Sequence, residues 1–310
     1  YLVMVDGVPR DATNVMPSEI DQITFLKGAQ AVVLYGSKAA KGAVLITTKR
    51  GKNDGLKVEV RANTGLHVAK SFPEYLSSAE YMTLYNEARA NDGLTPLYSA
   101  ADIYNHGSGL NPYRYPNIDY YSSDYIRKMY SRHEATAEIS GGGERAHFYS
   151  NINYYRSGDY FKFGEAKNNH ISRFSVRGNV DVNISEDIKA WVNSSATFYD
   201  SNTAKGNYWN VAATMRPNFP QYANPLIPVD MVDPHAKAAL ELLSVAKLID
   251  GKYFLAGSQA NSSSLFGDVY AAGKSKWTSR QFQFDTGVNI GLGKLLTGLS
   301  FETRFAVDYS

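Results

Sequence analysis

From Lys57 to Val68 the chain sets Val58, Val60, Ala62, Leu66 and Val68 on one side and Lys57, Glu59, Arg61, Asn63 and His67 on the other. A period of two gives a β-strand one apolar and one polar face. The period returns six times. Ala135, Ala137 and Ile139 alternate with Glu134, Thr136 and Glu138. Ala146, Phe148, Ile152 and Tyr154 alternate with Arg145, His147, Asn151 and Asn153. Phe174, Val176, Val180, Val182 and Ile184 oppose Arg173, Arg177, Asn179, Asp181 and Asn183. Further segments carry Ile188 to Phe198, Phe282 to Leu292 and Leu299 to Tyr309 in the same way. Globular strands run about 5–6 residues, whereas these segments run about 10 to 14, the length that crosses a bilayer when tilted. Within these segments no charge falls on an apolar face. A lipid-facing Arg or Lys at the bilayer midplane costs about 2–4 kcal/mol, so a face this clean points to lipid rather than water.

The connections support a barrel. Short turns at Gly141-Gly142-Gly143-Glu144, Ser185-Glu186 and Gly293-Lys294 alternate with long connections over 70–132, 157–170 and 200–276. Outer-membrane barrels have short periplasmic turns and long extracellular loops. The expected fold is therefore mainly β: a membrane-spanning antiparallel barrel, here about seven strands over residues 54–310. The long loops carry helix signals. Ser77 and Glu80 have capping-box spacing ahead of Tyr81, Leu84, Tyr85 and Ala88. Asp233-Pro234 opens a second helical run, AKAALELLSVAKL. Loops this long are expected to be ordered and to bind a ligand.

Chemistry-bearing patterns are weak. Gly267 to Ser275, GDVYAAGKS, has five residues between its glycines where a phosphate loop needs four. Gly36-Ser37 lacks the G-x-S-x-G elbow. His67, His106, His133, His147, His170 and His235 form neither HxH nor HExxH, and there is no cysteine. A net charge of +2 gives no pull toward nucleic acid. No catalytic residue, cofactor or metal ligand is assigned. What stands out is tyrosine, 23 against 14 Phe and 3 Trp, a residue suited to half-wet surfaces. Tyr113, Tyr115, Tyr120 and Tyr121 lie in the first long loop, and Trp209, Phe219 and Tyr222 in the third.

Residues 1–53 follow another rhythm: LVMVDG, EIDQITFLKG, AVVLYG and GAVLITT are short apolar runs between glycines, as in a small α/β unit. The polar stretch Gly51 to Gly55 is the expected boundary. This part resembles the second half of the plug of TonB-dependent outer-membrane transporters of the SusC/RagA type. The resemblance rests on VDGV, then on Ile20, Ile23, Leu26, Lys27, Tyr35, Gly36, Ala39, Gly42, Ile46, Thr47, Thr48 and Lys49, with Phe25 where a β-branched residue is usual. SSAEYMTLYNEA and ISGGGERAHFYSNINYY resemble the first-loop helix and second hairpin of the same family.

The resemblance implies a plug gating a barrel of about 22 strands, in the outer membrane of a Gram-negative bacterium of the Bacteroidota. It implies a SusD-like surface lipoprotein over the barrel, TonB pulling from the periplasm, and an oligosaccharide or peptide as substrate. Lipid and lipopolysaccharide surround the wall. A chain that opens mid-strand reads as part of a longer one, with the TonB-binding segment and signal peptide expected elsewhere. Gly36 and Gly42 are expected to supply backbone angles or close approach, and Ala39 and Ala40 to let a short helix pack. Tyr35, Thr47 and Thr48 belong to the same plug motif. Candidate substrate contacts are Arg10 and Asp11, on an outward turn of the plug, with Trp209 and Tyr222 in the loops. The competing expectation is a receptor or adhesin that binds without transport.

Overall fold

The computed structural model describes residues 1–310 except 123, 215–226, 233, 236, 246–247, 255–268 and 271. Tyr222, Phe219, Asp233 and residues 267, 268 and 271 of the glycine-rich stretch lie outside the described residues.

The chain begins with β1 (Leu2–Val5), β2 (Val8–Pro9), β3 (Ile20–Leu26), α1 (Ala29–Tyr35) and β4 (Ala43–Thr48). These form a four-stranded sheet in the order β2-β1-β4-β3, with β1 and β4 parallel. The VDGV turn shows why the sequence chooses these residues. Asp6 and Gly7 both have positive φ, 48° and 82°, which a two-residue hairpin of the I′ kind needs. Asp6 then earns its place a second way. Its carboxylate accepts from the Thr48 backbone N at 2.8 Å and from Thr48 Oγ1 at 2.7 Å, tying the turn to the end of β4. Gly36 has φ 69° at the end of α1. At Gly42, φ is 103° and an added Cβ would lie 2.9 Å from the Leu26 carbonyl oxygen. Ala31, Ala39 and Ala43 are buried together, with Tyr35 half-buried against them. Ala40, expected to share this packing, is exposed; Ala31 occupies the helix face that meets the sheet.

The second sheet has seven strands: β5 (Lys57–Val68), β6 (Met129–Gly142), β7 (Ala146–Ser157), β8 (His170–Asn183), β9 (Ile188–Ala204), β12 (Lys274–Gly291) and β13 (Ser300–Tyr309). The pair β10 (Ile227–Pro228) and β11 (Tyr253–Phe254) lies in the loop between β9 and β12. Sheet order follows the chain, β13-β12-β9-β8-β7-β6-β5, with every pair antiparallel. This is a partial barrel wall. Among the described residues no helix is long and apolar enough to cross a membrane.

Register builds the outward face row by row. Ala135, Tyr154, Phe174 and Phe198 lie on one row, and Ile188, Ile290 and Phe301 on a lower one. Ten residues separate Ile188 from Phe198. At about 3.3 Å per residue and about 40° of tilt the rise is about 25 Å, the height of the apolar band of such barrels. Between these two rows no charge faces outward. Two strands run further than expected: β9 has 17 residues and β12 has 18. Their extra residues carry outward charges at and above the upper row of the band: Arg280 is in register with Phe198 and lies 2.9 Å from Asp200. Thus the uncharged face extends over the band and not over the whole strand, and the third long connection shortens to 205–273.

The loops between strands fold over the long-loop end. Ser77 caps α2 (Ser78–Asn91) in the expected box with Glu80. A second box, Ser99 with Asp102, starts α3 (Ala100–Ser108), a helix not foreseen. The next helices are α4 (Tyr208–Thr214) and α5 (Lys237–Val245); the latter falls within the run expected after Asp233.

Candidate gate between the small unit and the wall

The small unit covers part of the polar face of the central strands, β6 to β9 and β12, whereas the polar positions of β5 and β13 stay mostly exposed. Asn151, Asn153, Asn179, Asn193, Arg177 and Asp285 are all buried there. A buried charge needs a partner, and the partners come from the other sheet. Arg177 Nε lies 2.9 Å from Glu19 Oε2, both side chains almost fully enclosed. Glu19 also accepts from the Met16 backbone N at 3.2 Å. The residues after β4 continue the series along the wall. Lys49 Nζ meets Glu138 at 2.8 Å, and Arg50 meets Asp181 at 2.8 Å. Asn179 Nδ2 donates to Thr48 Oγ1 and to the Lys49 carbonyl, each at 2.9 Å. Gly51 then passes so close to β7 that an added Cβ would lie 2.4 Å from the Phe148 carbonyl oxygen. At the other edge Arg304 donates to the Asp6 carbonyl.

Arg10 belongs to this set. Its guanidinium pairs with Asp285 at 3.3 Å and Asp308 at 2.9 Å, and its side chain is 3 % exposed. The expected outward turn therefore holds Arg10 against the wall. Asp11, next in sequence, is exposed and faces Thr13. The Thr13 backbone N–H, then its hydroxyl, hold the Asp11 carboxyl below its ordinary range. Thr48 is buried in the contact, whereas Thr47 is exposed.

Above this seam the loops form an aromatic layer. Tyr120, Ile126, Phe161, Phe163, Tyr208 and Val269 share one core. The Phe161 and Phe163 rings lie 5.1 and 5.2 Å from that of Tyr208. The Tyr208 hydroxyl donates to the Tyr120 carbonyl. Burial raises the hydroxyl pKa of Tyr208 and Tyr120, and lifts Tyr125 to about 12. Trp209 stacks on Tyr121 at 5.9 Å, and Tyr121 on Tyr75 at 5.5 Å. Beside this row is a cavity of about 730 Å³ lined by Tyr75, Tyr81, Asn117, Asp119, Tyr121 and Ala212 among others. No hydrogen bond, ion pair or ring contact among the described residues joins Trp209 to Arg10 or Asp11. Sequence reasoning missed Glu19, Arg177, Asp285 and Gly51. The available signal was that charges crowd the polar faces of strands whose partner Lys-Arg-Gly ends the small unit.

The arrangement is a small α/β body held on the lumen face of a barrel wall by ion pairs and amide hydrogen bonds. No family model matches the chain. It is similar to TonB-dependent receptor P26 of Formosa agariphila, at 30% identity over 222 residues, 71% of this chain and 21% of the relative. It is similar to TonB-dependent receptor SusC of Bacteroides thetaiotaomicron at 36% identity over 85 residues, 27% of this chain and 8% of SusC. The RagAB peptide transporter and the RagAB peptide importer in the open-open state share its fold, with TM-scores of 0.66 and 0.67 and identities of 18% and 20%. Each match covers 99% of this chain and 34% of the solved one. The chain spans only about a fifth of the length of P26 and a third of the solved chains. A plug-like unit sealed onto an outer-membrane wall, matched in sequence to these receptors and in fold to RagAB, places the chain in the family of SusC/RagA-type TonB-dependent receptors.

Proposed function

We propose that residues 1–53 are the C-terminal part of a plug and residues 54–310 the first part of its barrel, in a protein that imports a nutrient across the outer membrane of a Bacteroidota bacterium. TonB supplies the energy from the periplasm, and a SusD-like surface lipoprotein covers the outer mouth. The substrate is an oligosaccharide or a peptide. The observation that carries this reading is the polar seam between the small unit and the wall. Pairs such as Arg50–Asp181 exchange for water at little cost when partly exposed, whereas an apolar seam would weld the plug in place. Pulling on the small unit breaks these pairs and opens the lumen.

Substrate is met first by the loop layer, where Trp209 supplies aromatic surface, and then by the turn at Arg10 and Asp11; Tyr222 is the other loop residue proposed to contact it. Arg10 becomes available to substrate only as Asp285 and Asp308 release it. That coupling would let occupancy of the lumen weaken the plug's hold on the wall.

The test is uptake of labelled oligosaccharide and peptide pools by cells carrying the full-length protein, with and without TonB. Accumulation that stops when TonB is removed is the expected result. Surface binding without accumulation in either strain would establish a receptor or adhesin instead.

A further inference from the structure

Three arginines on the lumen face of the wall have carboxylate partners. Arg61 lies 2.6 Å from Glu59, Arg177 2.9 Å from Glu19 and Arg304 3.4 Å from Glu302. Arg173 differs. It stands on β8 four residues before Arg177, about 13 Å nearer the long-loop end at about 3.3 Å per residue. Even spacing puts both side chains on the lumen face, and β8 is flanked by β7 and β9, so the register settles this direction. Arg173 is half-buried, its Nε is enclosed, and no hydrogen bond or ion pair among the described residues reaches its guanidinium. The guanidinium lies 5.7 Å over the ring of Tyr155, its register partner on β7. An enclosed donor without an acceptor carries a desolvation cost that a ligand relieves. Acids nearby are engaged elsewhere. Asp200 faces outward to Arg280, and Glu134, two strands away on the same row, accepts from the Asn153 amide at 3.2 Å. On the other side Tyr199 is in register with Arg173, and the exposed Trp277 ring meets it edge-on at 4.9 Å. One row below, on β12, the enclosed Gln281 Oε1 has no donor among the described residues.

We propose that Arg173 is the centre of a carboxylate-binding site in the lumen, between the plug seam and the loop layer, and that the imported substrate carries a carboxylate. The inference rests on the import reading under Proposed function, in which substrate descends from the loops to the plug. A guanidinium offers parallel N–H donors that match the two oxygens of a carboxylate. The Tyr155 face fixes the guanidinium plane and adds cation–π attraction. One cation suits one negative charge, and a second does not join it. Arg132, two strands away on the lumen face, leans over Gly65 on β5, where an added Cβ would come within 2.7 Å of its Nε. A doubly charged phosphate would be only half neutralised. Tyr199 and Trp277 supply ring surface for the rest of the ligand, and Gln281 an acceptor for one of its hydroxyl or amide hydrogens. A peptide C-terminus and a uronate of an oligosaccharide both present this carboxylate, and binding measurements separate them.

The experiment uses full-length protein purified in mild detergent, as wild type, Arg173→Gln, Arg173→Lys and the control Arg132→Gln. Two matched pairs of probes are titrated by calorimetry: short peptides with a free C-terminus against the same peptides amidated, and oligogalacturonate against its methyl ester. At least one free-acid probe is expected to bind wild type. Blocking its carboxylate, or changing Arg173 to Gln, is expected to weaken binding about 10- to 100-fold, the range for a hydrogen bond to a charged group. Arg173→Lys keeps the charge without the fork and is expected to fall between, while Arg132→Gln stays at the wild-type level. The pair that responds names the source of the carboxylate. Wild-type affinity in Arg173→Gln, equal binding of free and blocked probes, failure of both free acids to bind, or competition by inorganic phosphate as strong as by the free acid would overturn the proposal. Heat-modifiability on gels reports folding, and if Arg173→Gln fails to fold, Arg173→Lys and the blocked probes on wild type decide. TonB-dependent uptake is followed in parallel: its absence in wild type with carboxylate-dependent binding intact counts against import and leaves the site standing.

Discussion

The small unit meets the wall through Arg177–Glu19, Lys49–Glu138, Arg50–Asp181 and Arg10–Asp285, while the loop layer above it is closed by Phe161, Phe163, Tyr120 and Tyr208. Both fill the end or bore of the same wall. The first contact is charged and amide-rich, and the second is apolar and aromatic. Ion pairs lose part of their Coulomb attraction to desolvation, so their rupture with water entering is nearly reversible. Aromatic packing has no such substitute in water, because each separated ring re-exposes apolar surface. On the proposed import function, the difference separates a part that moves from a part that stays.

The sharpest way to break this comparison is Glu19→Ala. It leaves Arg177 buried without its carboxylate, and breaking a buried pair this way costs about 3–5 kcal/mol. The expected outcome is a loosened plug, read in the full-length protein as new ion conductance in planar bilayers. A Glu19→Leu/Arg177→Met pair is expected to restore the seal, because apolar replacement of both partners is often neutral. Tyr208→Phe comes next. It removes the donor to the Tyr120 carbonyl inside the loop core, at a cost of about 1–3 kcal/mol. Limited proteolysis is expected to cut residues 205–273 faster while conductance stays at the wild-type level. Arg50→Ala is smaller, about 0–1 kcal/mol, since both partners of its pair are about a third exposed; a thermal midpoint within error of wild type checks it.

The smallest expected effect concerns pH. Ser77 holds the Glu80 carboxyl, and Ser99 that of Asp102, below their ordinary values of 4.5 and 3.8. A lowered folded-state pKa contributes stability above the unfolded value and loses it as pH falls through the folded one. The first turns of α2 and α3 are therefore expected to lose hydrogen-exchange protection below about pH 4, after correction for intrinsic rates, while residues of the aromatic layer keep theirs. Equal loss in both would erase this part of the contrast.

Much of the wall was legible in the sequence. Period two names the faces of each strand, and the Gly141–Gly143 and Ser185–Glu186 turns fix neighbours, because antiparallel strands joined this closely pair with each other. The Ser77 box was legible because it is local, a side chain and a backbone three residues apart. The extra length of β9 and β12 was not, since Asp200 and Arg280 interrupt the apolar alternation just where the strands leave the band. The seam was legible only in halves. Lys49-Arg50-Gly51 and the acids at 138 and 181 were each visible, but nothing local pairs residues 89 or 131 positions apart. Ala40 went wrong for a geometric reason: adjacent residues of a helical turn face different ways, so only Ala39 could share a face with Ala31 and Ala43. Arg10 looked outward from sequence because a charged turn is normally solvated, and Asp285 lies 275 residues away.

The central claim is that the small unit must leave the wall for import. Thr48 and Asn179 touch across the seam, with Oγ1 and Nδ2 2.9 Å apart, and this stretch has no other cysteine to interfere. We would place cysteines at both positions in the full-length protein, join them with a short thiol-reactive cross-linker that a reductant cleaves, and follow TonB-dependent uptake. The account predicts that cross-linked protein stays folded in the membrane and imports nothing, and that reduction restores uptake. Wild-type uptake by the fully cross-linked protein would contradict it.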